Sequence, residues 1–280
     1  MTDISALRLA IAAVLIAVTT AIVCSLPASI EIATNSGTKL RLFYILPAVW
    51  GRHTNIRRER PRTTPAHMVV VLGSGGHTAE MQSLMRSIDP RKYKQRTYIV
   101  SSGDDFSSSK AFEIEQKIQA RCTKEATPTI SAGMKDPVVG SWEIKVVPRA
   151  RKIHQPLYTT MFSSTWCLIG CFKALIDAAR ESTISPGEYP DIIITNGPAT
   201  AVMVILASLV LKYLGVVPAW KMSSVYVESW ARIKTLSLSG KVLLNLGLCD
   251  QFIVQWEILA QTINGRSRWK KVEWHGFLVE

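Results

Sequence analysis

The stretch that decides the fold is His67-Met68-Val69-Val70-Val71-Leu72-Gly73-Ser74-Gly75-Gly76-His77-Thr78-Ala79-Glu80-Met81. It begins with a short apolar, β-branched run, which is typical of a buried parallel strand. Three glycines in four positions follow, and then a segment that is compatible with a helix. A strand, a glycine turn and a helix start direct several backbone N–H groups to one point, where the helix dipole favours an anion. The stretch therefore predicts a site for a phosphate or a diphosphate, with the imidazole of His77 at its mouth.

The rest of the chain alternates between apolar strand patterns and helical patterns. We predict strands at residues 67–72, 96–101, 144–148, 191–195, 222–227 and 251–255. Such alternation implies a parallel sheet with helices on both faces, and so a Rossmann-like α/β domain. Ligands bind these sheets at the carboxyl ends of the strands, where the glycine loop lies. Residues 123–143 contain proline and glycine and are predicted to form a surface loop.

A long apolar segment precedes this domain. Residues 9–26 are 18 residues without a charged side chain, and at about 1.5 Å per residue they reach roughly 27 Å, close to the thickness of a hydrocarbon core. We interpret them as a retained membrane anchor, with a cleaved signal peptide as the alternative. Basic residues are concentrated after this segment, so the positive-inside rule places the folded body in the cytosol. The predicted organisation is an anchor at 1–30, a basic, interfacial linker at 31–65 and a Rossmann-like domain at 66–280.

Composition restricts the possible partners and the possible metal chemistry. The chain has 33 Lys and Arg against 21 Asp and Glu, a formal net charge of +12, which favours a membrane surface, a nucleic acid or a phosphorylated substrate. Its five cysteines are odd in number and include no Cys-x-x-Cys pair. We therefore expect reduced thiols, with neither a disulfide framework nor a zinc site.

Four other apolar or aromatic segments each have two interpretations. Residues 40–50 either lie on lipid headgroups or pack on the body. Residues 199–214 fit a buried crossover helix better than a membrane span. Residues 157–179 fit a long amphipathic helix, whose apolar side belongs to the core or rests on the bilayer. The aromatic end at 250–280, with Trp256, Trp269, Trp274 and Phe277, either forms a partner face or completes the core.

The glycine loop does not fit the two commonest phosphate-binding motifs. A dinucleotide fingerprint has glycine at its sixth place, where this chain has Thr78, and an acidic residue at the end of the second strand. A P-loop requires Gly-Lys-Ser/Thr after the glycines, and that sequence is not present here. A nicotinamide or a conventionally held triphosphate is therefore a poor candidate for the ligand.

Two later turns also follow predicted strands. Thr195-Asn196-Gly197-Pro198-Ala199-Thr200 leads from a strand into a helix, which makes a second anion-facing turn. Val225-Tyr226-Val227-Glu228-Ser229-Trp230-Ala231-Arg232 carries Glu228 out of a strand end. By itself, Glu228 is better explained as a helix N-cap or as one member of an ion pair.

Together these motifs resemble one family. The glycine loop, Asn196-Gly197-Pro198, Val227-Glu228-Ser229-Trp230-Ala231-Arg232 and Leu236-Ser237-Leu238-Ser239-Gly240-Lys241 occur in order at plausible spacing. Over roughly residues 5–30 and 66–280, the chain is similar to the membrane-anchoring subunits of the two-part UDP-N-acetylglucosamine transferase of asparagine-linked glycosylation. It departs from the family pattern at Ala199, where glycine is usual, and at 275–279, where an aromatic-Gly-Arg sequence is usual.

The resemblance implies a place in a complex. It implies a single-pass anchor in the endoplasmic reticulum membrane, a body on the cytosolic face and the acceptor half of a GT-B glycosyltransferase. It also implies a soluble partner subunit that binds most of the UDP-N-acetylglucosamine, and N-acetylglucosaminyl-diphosphodolichol as the acceptor, with no metal, cofactor or nucleic acid. The size of the chain agrees, because residues 66–280 are 215 residues, which is enough for only one of the two Rossmann-like domains of a GT-B enzyme, each of about 150–200 residues.

The resulting site hypothesis assigns two kinds of residue. The residues assigned to the acceptor diphosphate are Gly73, Ser74, Gly75, Gly76, Thr78, Asn196 and Gly197. His77 would remove the proton from the attacking 4-hydroxyl, and Glu228 would orient His77 or act as the base in its place. Two alternatives stay open: a membrane adaptor without active-site residues, and an autonomous enzyme that uses a nucleotide sugar.

Overall fold

The structure is a computed structural model that describes residues 65–125, 139–151, 157–197, 199–265 and 272–279. The predicted anchor at 1–30, the linker up to residue 64 with its segment 40–50, and Trp269 lie outside the described residues. The predictions made for them stay predictions.

The described residues form one parallel sheet with α-helices between its strands. The strands are β1 (His67–Val71), β2 (Gln95–Ser101), β3 (Ser141–Val147), β4 (Ile192–Asn196), β5 (Ser223–Val227), β6 (Gln251–Val254) and β7 (Glu273–Trp274). The helices are α1 (Gly76–Leu84), α2 (Asp105–Glu125), α3 (Leu157–Arg180), α4 (Ala199–Tyr213), α5 (Leu238–Leu246) and α6 (Glu257–Gly265). The strand order is β3-β2-β1-β4-β5-β6-β7, and every neighbouring pair is parallel. The predicted Rossmann-like α/β class is confirmed.

Strand β1 lies inside the sheet, between β2 and β4, with mainly apolar side chains on both of its faces. All five of its residues are buried, as expected for a strand covered by helices on each side. Met68, Val70 and Leu72 pack in one cluster with Met81 of α1 and Ile114 of α2. The alternate residues of β1 point to the other face, where α4 contacts the strand.

A buried ion pair joins strand β2 to helix α2. Arg96 donates to both carboxylate oxygens of Glu115 at 2.7 Å, and the Tyr98 hydroxyl donates to the same carboxylate at 2.7 Å. Arg96 and Glu115 are 0% and 3% exposed. Burial, helped by the neighbouring Glu115 charge, raises the pKa of Tyr98, so the phenol stays neutral. A charge on a β-strand is tolerated here because its hydrogen bonds are made within the protein.

Helix α3 confirms the prediction of a long amphipathic helix. Cys171 and Leu175 on one side are fully buried, whereas Phe162, Trp166 and Ile169 are 82%, 65% and 47% exposed. Within the described residues, only the part Phe162–Arg180 is long and apolar enough to cross a membrane, judged by length and composition, and 44% of its apolar 18-residue stretch is buried in the protein. Helix α3 therefore has a core side and a separate apolar side that the described part of the protein leaves uncovered.

Helix α4 confirms the prediction of a buried crossover helix. Ten of its side chains are buried, Lys212 among them. The Lys212 ammonium donates to the Met222 carbonyl at 3.1 Å and lies 3.8 Å from Asp250. Burial lowers the pKa of Lys212, and Asp250 opposes that shift. The single charge in this apolar segment is therefore accommodated inside the domain.

The sequence-based boundaries differ from the structure by more than one residue in three places. Strand β3 begins at Ser141 rather than 144, and helix α2 continues to Glu125, so both enter the predicted loop at 123–143, whose residues 126–138 lie outside the described ranges. The first residues of β3 are half-buried, which gives them no clear apolar alternation. Strand β7 has only two residues and no apolar run that would have predicted it.

Candidate functional site

The strand order reverses between β1 and β4. The chain proceeds outward from β1 through β2 to β3, then returns to β4 on the other side of β1. At such a switch point the loops after the two central strands separate and leave a crevice at their carboxyl ends. The glycine loop follows β1, and Asn196 ends β4, so the two turns predicted from the sequence face each other across this crevice.

The glycine loop presents backbone N–H groups to the crevice. Gly75 is the N-cap of α1 with φ +63° and has no side-chain capping bond, a conformation that glycine adopts without strain. Ser74, Gly75 and Gly76 are exposed. The first N–H groups of a helix have no partner within the helix, so this uncapped start offers them to an anion.

A buried hydroxyl cluster holds the loop from behind. The Ser107 hydroxyl oxygen lies 2.9 Å from the Gly73 carbonyl oxygen, 2.8 Å from an Asp104 carboxylate oxygen and 2.7 Å from the Thr78 hydroxyl oxygen. Thr78 is 0% exposed. Its side chain therefore connects the loop to α2 and does not face the crevice.

The turn after β4 supports the ring of His77. Gly197 has φ +85°, and a Cβ atom built on it would lie 2.5 Å from His77 Cγ. The ring therefore rests directly on the glycine backbone. His77 Nδ1 lies 3.1 Å from Asn196 Oδ1, and the ring is partly exposed. Its Nε2 has no hydrogen-bond partner among the described residues.

Behind His77, a chain of buried polar groups joins helix α1 to the ends of strands β4 and β5. Asn196 Nδ2 donates to Glu80 Oε2 at 2.7 Å, and the Ser229 hydroxyl donates to Glu80 Oε1 at 2.6 Å. Asn196, Glu80 and Ser229 are 0%, 4% and 5% exposed. Each has its polar atoms paired inside the protein, as buried polar groups require.

Glu228 occupies a different position, beneath the segment 229–237. It is 0% exposed and accepts hydrogen bonds from the backbone N–H of Ser229 at 3.1 Å and from the N–H and hydroxyl of Ser237, both at 3.1 Å. Ser237 in turn caps α5 by accepting from the Gly240 N–H at 2.9 Å. Burial raises the pKa of Glu228, while the bonds from Ser237 and Ser229 oppose the shift. These hydrogen bonds hold the segment 229–237 against the sheet.

The structure brings together most, but not all, of the residues predicted for the site. The glycine loop, His77, Asn196 and Gly197 converge at the switch point. Among the described contacts, the His77 ring meets Asn196 and Gly197, whereas the Glu228 carboxylate meets Ser229 and Ser237. The two residues predicted to be catalytic are therefore not in direct contact.

Glu80 and Ser229 were not predicted to be site residues. Both lie within the quoted motifs, but nothing in their spacing indicated that they would share hydrogen bonds.

A metal site is also not apparent, because no group of three or more His, Cys, Asp or Glu in the described ranges could hold an ion.

Fold and site define a doubly wound α/β protein with an uncapped glycine loop and an imidazole at its topological switch point. The sequence model of the family described as "Oligosaccharide biosynthesis protein Alg14 like" matches residues 68–278. The chain belongs to this Alg14-like family, and the resemblance inferred from the four motifs is confirmed.

Curated relatives agree with this family. The chain is 36% identical over 240 residues to the UDP-N-acetylglucosamine transferase subunit alg14 of Aspergillus fumigatus, covering 71% of this chain and 100% of that protein. It is 33% identical to the subunit of the same name from Schizosaccharomyces pombe, covering 80% of this chain and 89% of the relative. The mouse subunit ALG14 is 31% identical, with 82% of this chain and 91% of the relative covered.

Proposed function

We propose that this chain is the membrane-bound, acceptor-binding subunit of a UDP-N-acetylglucosamine transferase. The complex would add the second N-acetylglucosamine to N-acetylglucosaminyl-diphosphodolichol on the cytosolic face of the endoplasmic reticulum. Family membership and the names of the relatives support the transferase role. The observation that carries the acceptor role is the convergence of the uncapped glycine loop, His77 and Asn196 at the switch point.

The acceptor's diphosphate binds at the glycine loop. Backbone N–H groups at the start of α1 donate to its oxygens, and the helix dipole adds to the attraction. The exposed Ser74 hydroxyl is available as a further donor. Ser107 and Thr78 keep the loop in shape from behind, so little reorganisation is needed on binding.

His77 acts as the general base. The 4-hydroxyl oxygen of the acceptor sugar attacks the anomeric carbon of the donor, and its proton passes to His77 Nε2. The new C1–O4 bond forms as the bond from C1 to the diphosphate oxygen breaks, and UDP leaves with the electron pair. A neutral imidazole suits this proton transfer. Glu228 is the less suitable base, because its carboxylate is fully buried and its oxygens already accept bonds from Ser229 and Ser237.

The donor sugar is held mainly by a partner subunit. A GT-B enzyme closes two Rossmann-like domains on one cleft, and the described residues of this chain form one sheet. The carboxyl-terminal segment is the partner face that we favour. Trp274 and Phe277 are 40% and 52% exposed, although Phe277 also makes an edge contact with Trp256 at 4.7 Å between ring centroids. Exposed aromatic side chains are enriched at protein interfaces.

The interpretation of this end as part of the core is also supported in part. Phe252, Val254, Leu259 and Val272 pack in a buried cluster of the domain. The variant that lacks residues 271–280 should therefore be tested for stability as well as for co-purification with the partner. A folded, membrane-bound deletion variant that no longer co-purifies with the partner supports the partner face, and normal co-purification of that variant contradicts it.

The membrane attachment combines the predicted anchor with the apolar side of α3. Helix α3 follows β3, so its first turns lie at the carboxyl edge of the sheet, the same edge as the glycine loop. The exposed Phe162 and Trp166 are near this end. A bilayer contact there would bring the diphosphate of a membrane-borne acceptor within reach of the loop.

The test of the base is turnover by the reconstituted complex. We expect His77→Ala to lower kcat by about 100-fold or more, with partner co-purification and membrane attachment unchanged. His77→Asn is the matched variant, since its amide can still meet Asn196 but is not basic, and it should be equally inactive. Near-normal turnover in either variant would exclude His77 as the base. Normal turnover in both, together with loss of membrane recruitment on deleting 1–30, would favour a membrane adaptor without active-site residues.

A further inference from the structure

The hydrogen bonds behind His77 determine which of its ring nitrogens can accept a proton. The two carboxylate oxygens of Glu80 each accept one hydrogen bond, one from Ser229 and the other from Asn196. A carboxylate only accepts, and both bonds are short and buried. The side of Asn196 that faces Glu80 must therefore be its NH2 group.

This orientation fixes the other end of the same amide. With its NH2 group on Glu80, Asn196 turns its carbonyl oxygen Oδ1 toward His77 Nδ1, 3.1 Å away. An amide oxygen also only accepts. The bond therefore requires the hydrogen to be on Nδ1, and a neutral imidazole with Nδ1–H carries its free lone pair on Nε2.

We propose that Glu80 is a positioning residue that holds His77, through Asn196, in the tautomer whose Nε2 can accept the proton of the attacking hydroxyl. The role as a base rests on the proposed function, whereas the tautomer itself does not. Without the Glu80 acceptor, the Asn196 amide can turn over and donate to His77 Nδ1. That would place the ring hydrogen on Nε2 and block the proton transfer.

The arrangement is built into the fold rather than into one local motif. Glu80 is on α1, Asn196 ends β4, and Ser229 follows β5. Gly197 adds a second restraint, because the ring of His77 lies against its backbone. The position of the ring and its tautomer are therefore both fixed, while Nε2 is left without a partner among the described residues.

The direct test is nitrogen NMR of the full chain in detergent micelles with ¹⁵N-labelled histidine. The chain has five histidines, and His77→Gln identifies the signal of interest. At a pH where the imidazole is neutral, we expect Nδ1 of His77 to be protonated and Nε2 to be unprotonated. The opposite pattern in the wild-type chain overturns the proposal, and the His77→Gln variant serves only to assign the signal.

Two substitutions at Glu80 then separate its acceptor role from its bulk. Glu80→Met removes the acceptor at similar length, so we expect the Nε2–H tautomer of His77 to appear and kcat of the complex to fall at least about tenfold with KM little changed. Glu80→Gln should restore the wild-type tautomer, because its amide oxygen can accept from Asn196 while its NH2 group donates to the Ser229 oxygen. A Glu80→Met chain that keeps the wild-type tautomer contradicts the proposal.

Glu113→Met is the matched control. Glu113 is on α2 and accepts a hydrogen bond from Gln82 of α1 at 3.2 Å, but it does not contact His77, Asn196 or Ser229. We expect its loss to leave both the tautomer and kcat unchanged. If the wild-type chain has the Nδ1–H tautomer but the His77→Ala complex stays active, His77 is not the base and the role of Glu80 in setting the tautomer stands. If the wild-type chain has the Nε2–H tautomer and the His77→Ala complex is inactive, the role of Glu80 is rejected and His77 remains the candidate base.

Discussion

Gly197→Ala is the substitution that tests the support of His77 most sharply. A methyl group at this position would lie 2.5, 2.7 and 2.8 Å from Cγ, Nδ1 and Cδ2 of His77. Ordinary contact begins at 3.4 Å, so the ring has to move by about 0.9 Å. The bond from His77 to Asn196 is already 3.1 Å long and would not survive that movement.

The expected loss follows from this displacement. A misplacement of about 1 Å in a reacting group can cost about 100-fold in rate, so we predict that kcat of the reconstituted complex falls by about that factor. The alanine also adopts φ +85°, a left-handed conformation that costs about 1–2 kcal/mol for a residue with a Cβ atom. For a domain of this size the thermal midpoint should fall by about 2–8 °C. Transfer of labelled N-acetylglucosamine and a thermal scan measure the two effects.

Gly187→Ala is the matched control for backbone strain. Gly187 has φ +83°, and nothing lies within 4 Å of the Cβ position that an alanine would add. It should show a similar fall in thermal midpoint and keep its turnover. Turnover of folded Gly197→Ala at the wild-type rate, or an equal loss of activity in Gly187→Ala, would show that contact with Gly197 does not position His77.

Two further predictions concern stability. Burial lowers the pKa of His67 to about 4 from 6.5, against the attraction of Asp191, so between those values the unfolded chain takes up a proton that the folded chain does not. The free energy of unfolding should therefore fall by up to about 3 kcal/mol as the pH drops from 6.5 to about 4. A series of unfolding curves at different pH values measures this fall. His67→Gln should remove it, whereas substitution of the exposed His275 should leave it in place. Glu115→Ala should cost about 3–5 kcal/mol because it leaves the buried Arg96 charge unpaired, whereas Glu113→Ala on the same helix should change the thermal midpoint little. An unchanged free energy of unfolding in Glu115→Ala would show that the ion pair does not stabilise the domain.

The fold was predictable from sequence where burial and composition agree. Strands β1 and β4 have β-branched apolar runs because both faces of a central parallel strand are covered, and each boundary was predicted to within one residue. Strand β3 was less predictable, since its half-buried start includes polar side chains and Trp142, which packs edge-on against Phe112 at 5.0 Å. These contacts depend on α2, and a local pattern carries no information about them.

The site was predictable only in its separate parts. The glycine loop and the Asn196-Gly197 turn are visible because glycine next to a strand end has a specific backbone role. Glu80 looks like an ordinary polar residue of a helix. Its partners Asn196 and Ser229 are 116 and 149 residues away in sequence. Only the order of the strands, which places β4 beside β1 and β5 beside β4, shows that these groups form one buried network.

The central claim is that this chain provides one wall of an active site whose other wall belongs to a partner. The most direct measurement uses vesicles that contain the purified full-length chain, a soluble donor-domain subunit, labelled UDP-N-acetylglucosamine and an N-acetylglucosaminyl-diphosphopolyprenol acceptor. We predict that neither protein alone transfers sugar, and that transfer begins when the soluble subunit binds the vesicles. Transfer by this chain alone, at the rate of the mixture, would contradict the claim and identify an autonomous enzyme.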